Sequence, residues 1–237
     1  MNDYYFKFKE FTLKNCDAAL KVNFDGVLLG AWVDIDTDKY ILDLGTGTGV
    51  IAHMLAQKNT ASIIYAIDVD AKSVDEANFN VKLNDRQDQI IVERVSVQDF
   101  KTDCRFDHIV CNPPYFQNNT KAFATKLKVS KHGVELTFSD IITASKRMLN
   151  ANGKLSVILP LEEAKSFLSL AISHSFNLQR LLDVKSRVDT PIKRKLMTFS
   201  RNQSFEPMIE EIYVHEKGRD NYSEKYKSIT KDFYLKF

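Results

Sequence analysis

From about Tyr40 onward, short apolar runs alternate with stretches whose apolar residues recur at helical spacing. This is the pattern of βαβ units and a mostly parallel sheet. Tyr40 to Leu44, Ser62 to Ile67, Gln89 to Val95, Phe106 to Cys111 and Lys154 to Leu159 read as strands, the last after an Asn152-Gly153 turn. Val50, Ile51, Met54 and Leu55 keep helical spacing, and further helices are predicted over Ala71 to Leu83, Ser139 to Leu149 with Ser139 as N-cap, and Glu162 to Ser173. Leu178 to Lys185 and Arg194 to Ser200 read as a strand pair across a polar, proline-containing loop, forming the antiparallel edge of the sheet. Ile209 to His215 reads as a further strand, and Ser223 to Tyr234 has helix-like spacing. Before Tyr40, Phe6 to Leu13 alternates with period two, a small strand addition expected to cover the site.

At 237 residues the chain suits one large α/β domain, with residues 1–38 as a short N-terminal extension and 39–237 as the core. Charged residues make up 27% and hydrophobic ones 44%, and no apolar stretch approaches the roughly 18 residues of a membrane span. The start lacks a basic region followed by an apolar stretch, so a cytoplasmic protein is expected. Cys16, Cys104 and Cys111 are scattered without CxxC spacing, which argues against a zinc site, any other metal centre built on them, and a disulfide framework.

The net charge of +2 is small but uneven. Lys121, Lys126, Lys128, Lys131 and His132 run without an acidic residue among them; Lys185, Arg187, Lys193, Arg194, Lys195 and Arg201 flank a turn holding Asp189-Thr190-Pro191. Either run alone reads equally well as a solvated face or as a contact for phosphates.

Two segments carry chemistry. Gly45, Gly47 and Gly49 follow the first strand in the order strand, glycine turn, helix start, where backbone N–H groups can approach a nucleotide-like cofactor and the helix start favours negative charge. Asp43 is placed to receive an ammonium, Asp68 at the end of strand two to accept ribose hydroxyls with Asp70 as competitor, and Asp99 to accept from an adenine amine with Phe100 beside the ring. Taken singly, these residues also suit helix packing, turns and caps.

The second segment is Asn112-Pro113-Pro114-Tyr115, a rigid loop after the strand ending at Cys111. A planar exocyclic amine is a poor nucleophile because its lone pair is delocalised into the ring. The Asn112 side-chain oxygen and the Pro113 carbonyl could accept its two N–H bonds and aim the lone pair, while Tyr115 stacks on the base. The prolines hold the backbone extended. His53 and Trp32 read as a helix-face histidine and a packing aromatic.

The pairing of glycine turn and Asn-Pro-Pro-Tyr loop resembles the class I, S-adenosylmethionine-dependent amino methyltransferases. Further likeness spans nearly the whole chain. Phe6-Lys7-Phe8-Lys9-Glu10-Phe11, the segment Lys21 to Trp32, Asn221-Tyr222-Ser223-Glu224 and Phe233-Tyr234-Leu235 resemble the bacterial tRNA1(Val) (adenine-37-N6)-methyltransferase family. The resemblance implies a Rossmann-like fold with a seven-stranded, mostly parallel sheet and an antiparallel C-terminal edge hairpin. It also implies S-adenosylmethionine as donor, an adenine of the tRNA anticodon loop as acceptor, and the segment with Lys21 and Asp25 packed over the cofactor. Lys121, Lys126, Lys128 and Lys131 are then the first candidates for RNA phosphates, and Lys193, Arg194 and Lys195 the second. Where the family often carries Thr before Asp-Gly and Glu at the ribose position, this chain has Phe24 and Asp68. Three other readings compete: glutamine N5-methylation, disfavoured because only a short segment precedes Tyr40; DNA adenine methylation; and a catalytically silent RNA-binding module on the same fold.

Overall fold

The computed structural model describes residues 4–114, 136–202, 206–218 and 221–236. A hairpin of β1 (Tyr5–Lys7) and β2 (Thr12–Lys14) precedes helix α1 (Phe24–Trp32). The chain then runs through β3 (Tyr40–Leu44), α2 (Val50–Lys58), β4 (Ile63–Asp68), α3 (Ala71–Leu83), β5 (Ile90–Arg94) and β6 (Phe106–Cys111). After α4 (Phe138–Met148) come β7 (Leu149–Pro160), α5 (Leu161–Ser173), β8 (Asn177–Lys185), β9 (Ile192–Ser200), β10 (Met208–Tyr213) and α6 (Glu224–Thr230).

Among the described residues, eight strands form the main sheet in the order β10-β8-β9-β7-β6-β3-β4-β5. The chain steps outward from β3 to β5 and then returns to β6 on the other side of β3. That reversal opens a crevice at the carboxyl ends of β3 and β6. Two expectations need correcting. The sheet has eight strands rather than seven, because β10 pairs in parallel with β8. The β8–β9 hairpin is also not the edge: β9 is antiparallel to both β7 and β8, so it alone opposes the direction of the others. A tight hairpin reverses the chain, β9 inserts between β7 and β8, and β8 thereby regains the common direction.

Two boundaries differ from expectation for local reasons. Helix α4 is capped by Thr137, not Ser139: Thr137 accepts from the Asp140 N–H while the Asp140 carboxylate accepts from the Thr137 N–H, a reciprocal capping box. Strand β7 starts at Leu149, opposite Phe106, and the register then jumps to His108 opposite Lys154. The Asn152-Gly153 pair lies within that irregularity, where a Cβ on Gly153 would stand 3.0 Å from the Phe106 carbonyl.

Helices α1, α2 and α6 cover one face of the sheet, packing residues such as Leu28, Leu29, Met54 and Leu55 over Ile41, Val110 and Ile158. Helices α4 and α5 cover the other, with Ile141, Ile142 and Phe167 against Ile109, Leu155 and Phe199.

The N-terminal arm buries Phe8, Phe11 and Leu13 in the core, and polar side chains of α3 fix its backbone. Along α3, Asn84 pairs with both backbone groups of Thr12 (2.9 and 2.8 Å), and Asn80 with both of Lys14 (2.7 and 3.0 Å). Glu76 accepts the N–H groups of Cys16, Asp17 and Ala18, and the Ser73 hydroxyl accepts that of Ala19 (3.1 Å). The match is geometric: four helical residues rise about 6.0 Å, close to the roughly 6.7 Å of two extended residues. One face of α3 therefore serves the arm as a neighbouring strand would.

Candidate active site

Strands β3 and β6 pair with Asp43 opposite Val110 and Leu44 opposite Cys111. The glycine turn and the Asn112 loop thus leave adjacent strands at one height, about 4.8 Å apart. Gly45, Gly47 and Gly49 all hold positive φ, 76°, 56° and 82°, which L side chains rarely adopt. At Gly47 space is decisive as well, because a Cβ there would meet the Leu20 carbonyl at 3.0 Å. The arm accordingly crosses directly over the turn.

Asp43 is fully buried; its Oδ2 accepts from the Thr46 hydroxyl (2.6 Å) and the Ala52 N–H (3.2 Å). Its Oδ1 is buried and has no hydrogen-bond partner among the described residues. Burial outweighs the two donors and pushes the carboxyl up to about 7. Asp68 accepts from the Gly47 N–H and the Asp70 N–H, both at 2.9 Å, and burial raises its pKa too. One lone pair on each oxygen remains for a ligand hydroxyl. Asp70 is the N-cap of α3, its Oδ2 accepting from the Ser73 N–H at 2.8 Å.

Asp99 is exposed, with its carboxylate accepting from the Ser96 hydroxyl at 2.7 Å. Phe100 departs from expectation. Its ring is 1% exposed and packs between Tyr65 and Phe106, each 6.4 Å away, so it anchors the Asp99 loop from the core and offers no face to a ligand. Apolar burial claims a phenyl ring before a polar crevice can.

Asn112 is buried, with Oδ1 unpartnered among the described residues, and Pro113 is buried behind it. The first turn of α1 closes over this pair: a Cβ on Gly26 would lie 3.7 Å from the Asn112 Nδ2 and 3.3 Å from Val50. Beside Gly26, Asp25 is 6% exposed and binds the Arg194 Nε through both oxygens at 3.0 and 2.8 Å. The residue assigned to the cofactor and one assigned to RNA are therefore partners of each other. Lys21 is exposed, and its carbonyl accepts from the Asn23 amide at 2.9 Å.

The second basic cluster is divided by strand alternation. Arg194 turns to Asp25, Lys195 is paired with Asp183 on β8, and Lys193 is exposed. Tyr115, Lys121, Lys126, Lys128, Lys131 and His132 lie outside the described residues. Cys16, Asp17 and Glu76 bring possible metal-ligand atoms within 4.8 Å of one another, but both Glu76 oxygens already accept backbone N–H groups.

Three contributors escaped the sequence reading. His53, taken as a helix-face residue, is 1% exposed, and its Nδ1 bonds the Gly49 carbonyl at 2.8 Å; desolvation lowers its pKa to about 4, which keeps the ring neutral. Asn80 donates to the Thr48 carbonyl at 2.9 Å, tying α3 to the glycine turn. Asn23 caps α1 through the Gly26 N–H at 2.9 Å. The Asn23-x-x-Gly26 spacing was legible as a cap, whereas a histidine or asparagine on a helix has no sequence mark of burial. Trp32 is a packing aromatic as read, 4% exposed under the Arg180 guanidinium.

A glycine turn and an unpartnered asparagine oxygen at one crevice are features shared by many transferases; likeness to known proteins narrows the choice. The methyltransferase small domain family model matches residues 18–181. A tRNA1(Val) (adenine(37)-N6)-methyltransferase of Trichodesmium erythraeum is 39% identical over 236 residues, covering 98% of each chain. The protein of the same name from Phocaeicola vulgatus is 38% identical over 231 residues, covering 98% of this chain and 97% of its own. This chain belongs to the tRNA1(Val) (adenine(37)-N6)-methyltransferase family. Solved structures agree on the fold. A predicted O-methyltransferase of Agrobacterium tumefaciens superimposes with a TM-score of 0.69 at 18% identity, over 88% of this chain and 96% of that one. The ribosomal protein L11 methylase of Lactobacillus delbrueckii subsp. bulgaricus gives 0.54 at 19% identity, over 75% and 77%. As a member of the family, the chain has a Rossmann-like class I methyltransferase fold, and no helix among its described residues is long and apolar enough to cross a membrane.

Proposed function

We propose that this chain transfers a methyl group from S-adenosylmethionine to the exocyclic N6 of an adenine, adenine 37 of tRNA1(Val), in the cytoplasm. The observation that carries the reading is a pair of buried acceptor oxygens without partners among the described residues, Asn112 Oδ1 just past β6 and Asp43 Oδ1 near the end of neighbouring β3. Buried acceptors without partners are costly, so a crevice that keeps two of them on adjacent strands is built for donors supplied by ligands. An adenine amine supplies donors for one and an α-ammonium supplies them for the other.

The fit to the donor rests on this chain's own groups. Asp43 would hold the ammonium, Asp68 the ribose hydroxyls and Asp99 the adenine amine. The positive-φ glycines leave room for backbone to approach; a Cβ at Gly45 would meet nothing within 4 Å. When bound, S-adenosylmethionine supplies an electrophilic methyl on a sulfonium. Asn112 Oδ1 and the Pro113 carbonyl accept the two N–H bonds of the target amine and hold its lone pair out of the ring plane. Tyr115 is the residue proposed to stack on the base. No strong base is required, since the amine becomes acidic on methylation and releases its proton to water. Lys193 and the lysines at 121, 126, 128 and 131 would hold flanking phosphates.

The test uses labelled S-adenosylmethionine with tRNA from cells lacking the modification, followed by nucleoside digestion and mass spectrometry. Wild type yields N6-methyladenosine, and Asn112→Ala does not. Binding of the donor with no labelled nucleoside would overturn the RNA reading in favour of a peptide glutamine amide.

A further inference from the structure

Resting on that reading, we infer that Phe24 is a stacking platform for the nucleobase next to the target adenine. Three aromatic rings form a column beneath it. His215 and Tyr222 lie 4.9 Å apart at 30°, Tyr222 and Tyr226 5.4 Å apart at 23°, and Tyr226 and Phe24 5.9 Å apart at 14°. The planes become more nearly parallel toward Phe24. Tyr226 is 2% exposed, whereas Phe24 is 37% exposed and, among the described residues, makes no ring contact other than that with Tyr226. The column therefore ends in a fixed aromatic ring at the surface.

Its place is on the acceptor side of the crevice. Phe24 is the first residue of α1, two before Gly26, which borders Asn112, and one before Asp25, which grips Arg194. Arg194 stands opposite Pro160, the last residue of β7, so this rim is two strands, or about 10 Å, from the end of β6. Asp43, Asp68 and Asp99, assigned to the donor, lie on the other side, at the ends of β3, β4 and β5, while Lys21 and Asp25, cofactor residues by the resemblance, lie on this rim. Exposed Lys21, three residues before Phe24, adds a positive charge to this rim, which suits a nucleic-acid strand.

The occupant follows from what the reaction leaves behind. Extruding one base uncovers a face of its neighbour, and the lost stacking is recovered most directly on an aromatic ring held in place beforehand. Phe24 is already immobilised by Tyr226, so a base that stacks on it has little side-chain freedom left to suppress. A hydroxyl-bearing residue at this position could not serve in that way. Phe24 would thus favour substrates in which a purine, with its larger face, adjoins the target.

The test compares wild type, Phe24→Ala and Phe24→Trp as full-length proteins on unmodified tRNA1(Val) transcript and on an anticodon stem-loop carrying 2-aminopurine beside the target. Phe24→Ala is expected to raise the KM for tRNA about tenfold, the usual scale for one base–aromatic stack, with donor affinity unchanged. Phe24→Trp restores wild-type KM, and the quench of 2-aminopurine on binding is present in wild type and lost in Phe24→Ala. Unchanged tRNA KM, an equal quench, or a parallel loss of donor affinity that Trp does not repair would overturn the platform while leaving methyl transfer intact. A wild-type protein that methylates no RNA would overturn the underlying reading, and the platform with it.

Discussion

Asn80 sits where the arm, helix α3 and the glycine turn meet, and its removal gives a loss that can be apportioned. Its side chain accepts the Lys14 N–H at 2.7 Å and donates to the carbonyls of Lys14 at 3.0 Å and Thr48 at 2.9 Å. Asn80→Ala strands three backbone groups. The two on Lys14 are part-buried and can recover water, costing about 0.5–1 kcal/mol each, whereas the buried Thr48 bond leaves a desolvated carbonyl at about 1–2 kcal/mol. A loss of about 2–4 kcal/mol in unfolding free energy follows, measured by urea denaturation at pH 7. Asn84→Ala is the control. It frees both backbone groups of Thr12 and drops a bond to the Asn80 carbonyl, which keeps its helical N–H partner, but touches nothing in the turn, so it should cost only about 1–2.5 kcal/mol. The two variants should separate further in donor binding by calorimetry. Asn80→Ala loosens the Thr48 carbonyl beside Gly47 and Gly49, weakening affinity by roughly fivefold for about 1 kcal/mol, while Asn84→Ala leaves it unchanged. Equal donor affinity in the two variants, or an Asn80→Ala stability within about 0.5 kcal/mol of wild type, would refute the idea that α3 organises the cofactor turn.

Two further outcomes follow from charge. Because the Asp43 carboxyl is raised to about 7 by burial, it is largely protonated below that pH, and an ammonium at its free oxygen selects the ionised form. Donor binding should then release a proton below pH 7, with affinity rising as pH rises toward 7 until the donor's own α-ammonium begins to deprotonate at about 8; calorimetry in buffers of different ionisation heat reads the proton, and Asp43→Asn should abolish the slope below pH 7. Arg194→Met leaves the 6%-exposed Asp25 carboxylate without its guanidinium partner and should destabilise by about 2 kcal/mol, less than a fully buried pair because the Arg194 side chain is 25% exposed. Adding Asp25→Asn should recover most of that in thermal unfolding, and simple additivity of the two losses would show that the pair is not coupled.

The parts of the fold legible in the sequence are those where one physical signal acts alone. Strands β3 and β6 and helix α3 have the limits read from the sequence, because apolar runs bounded by Gly, Asn-Pro or Asp stand for buried parallel strands and caps. Helix α1 escaped notice because eight of its nine residues are buried, which leaves no apolar stripe with a 3.6-residue period. The Thr137 cap was present in the Thr-x-x-Asp spacing but was outweighed by the nearer Ser139. Gly45, Gly47, Gly49, Asp43 and Asn112 meet at one crevice as the sequence implies, because strand ends fix their place along the chain. The sequence could not show that Arg194 and Lys195 face opposite ways into ion pairs, or that Phe100 belongs to the core. Those outcomes depend on which strand lies next door, and β9 acquires its neighbours only when it inserts between β7 and β8.

The most direct measurement is methyl transfer from labelled S-adenosylmethionine to two tRNA1(Val) transcripts, identical except for adenine or guanine at position 37, by wild type and Asn112→Ala with donor binding monitored in parallel. The account predicts N6-methyladenosine only from wild type on the adenine transcript, with the donor bound by both proteins. Equal labelling of the two transcripts, or full activity in Asn112→Ala, would contradict it.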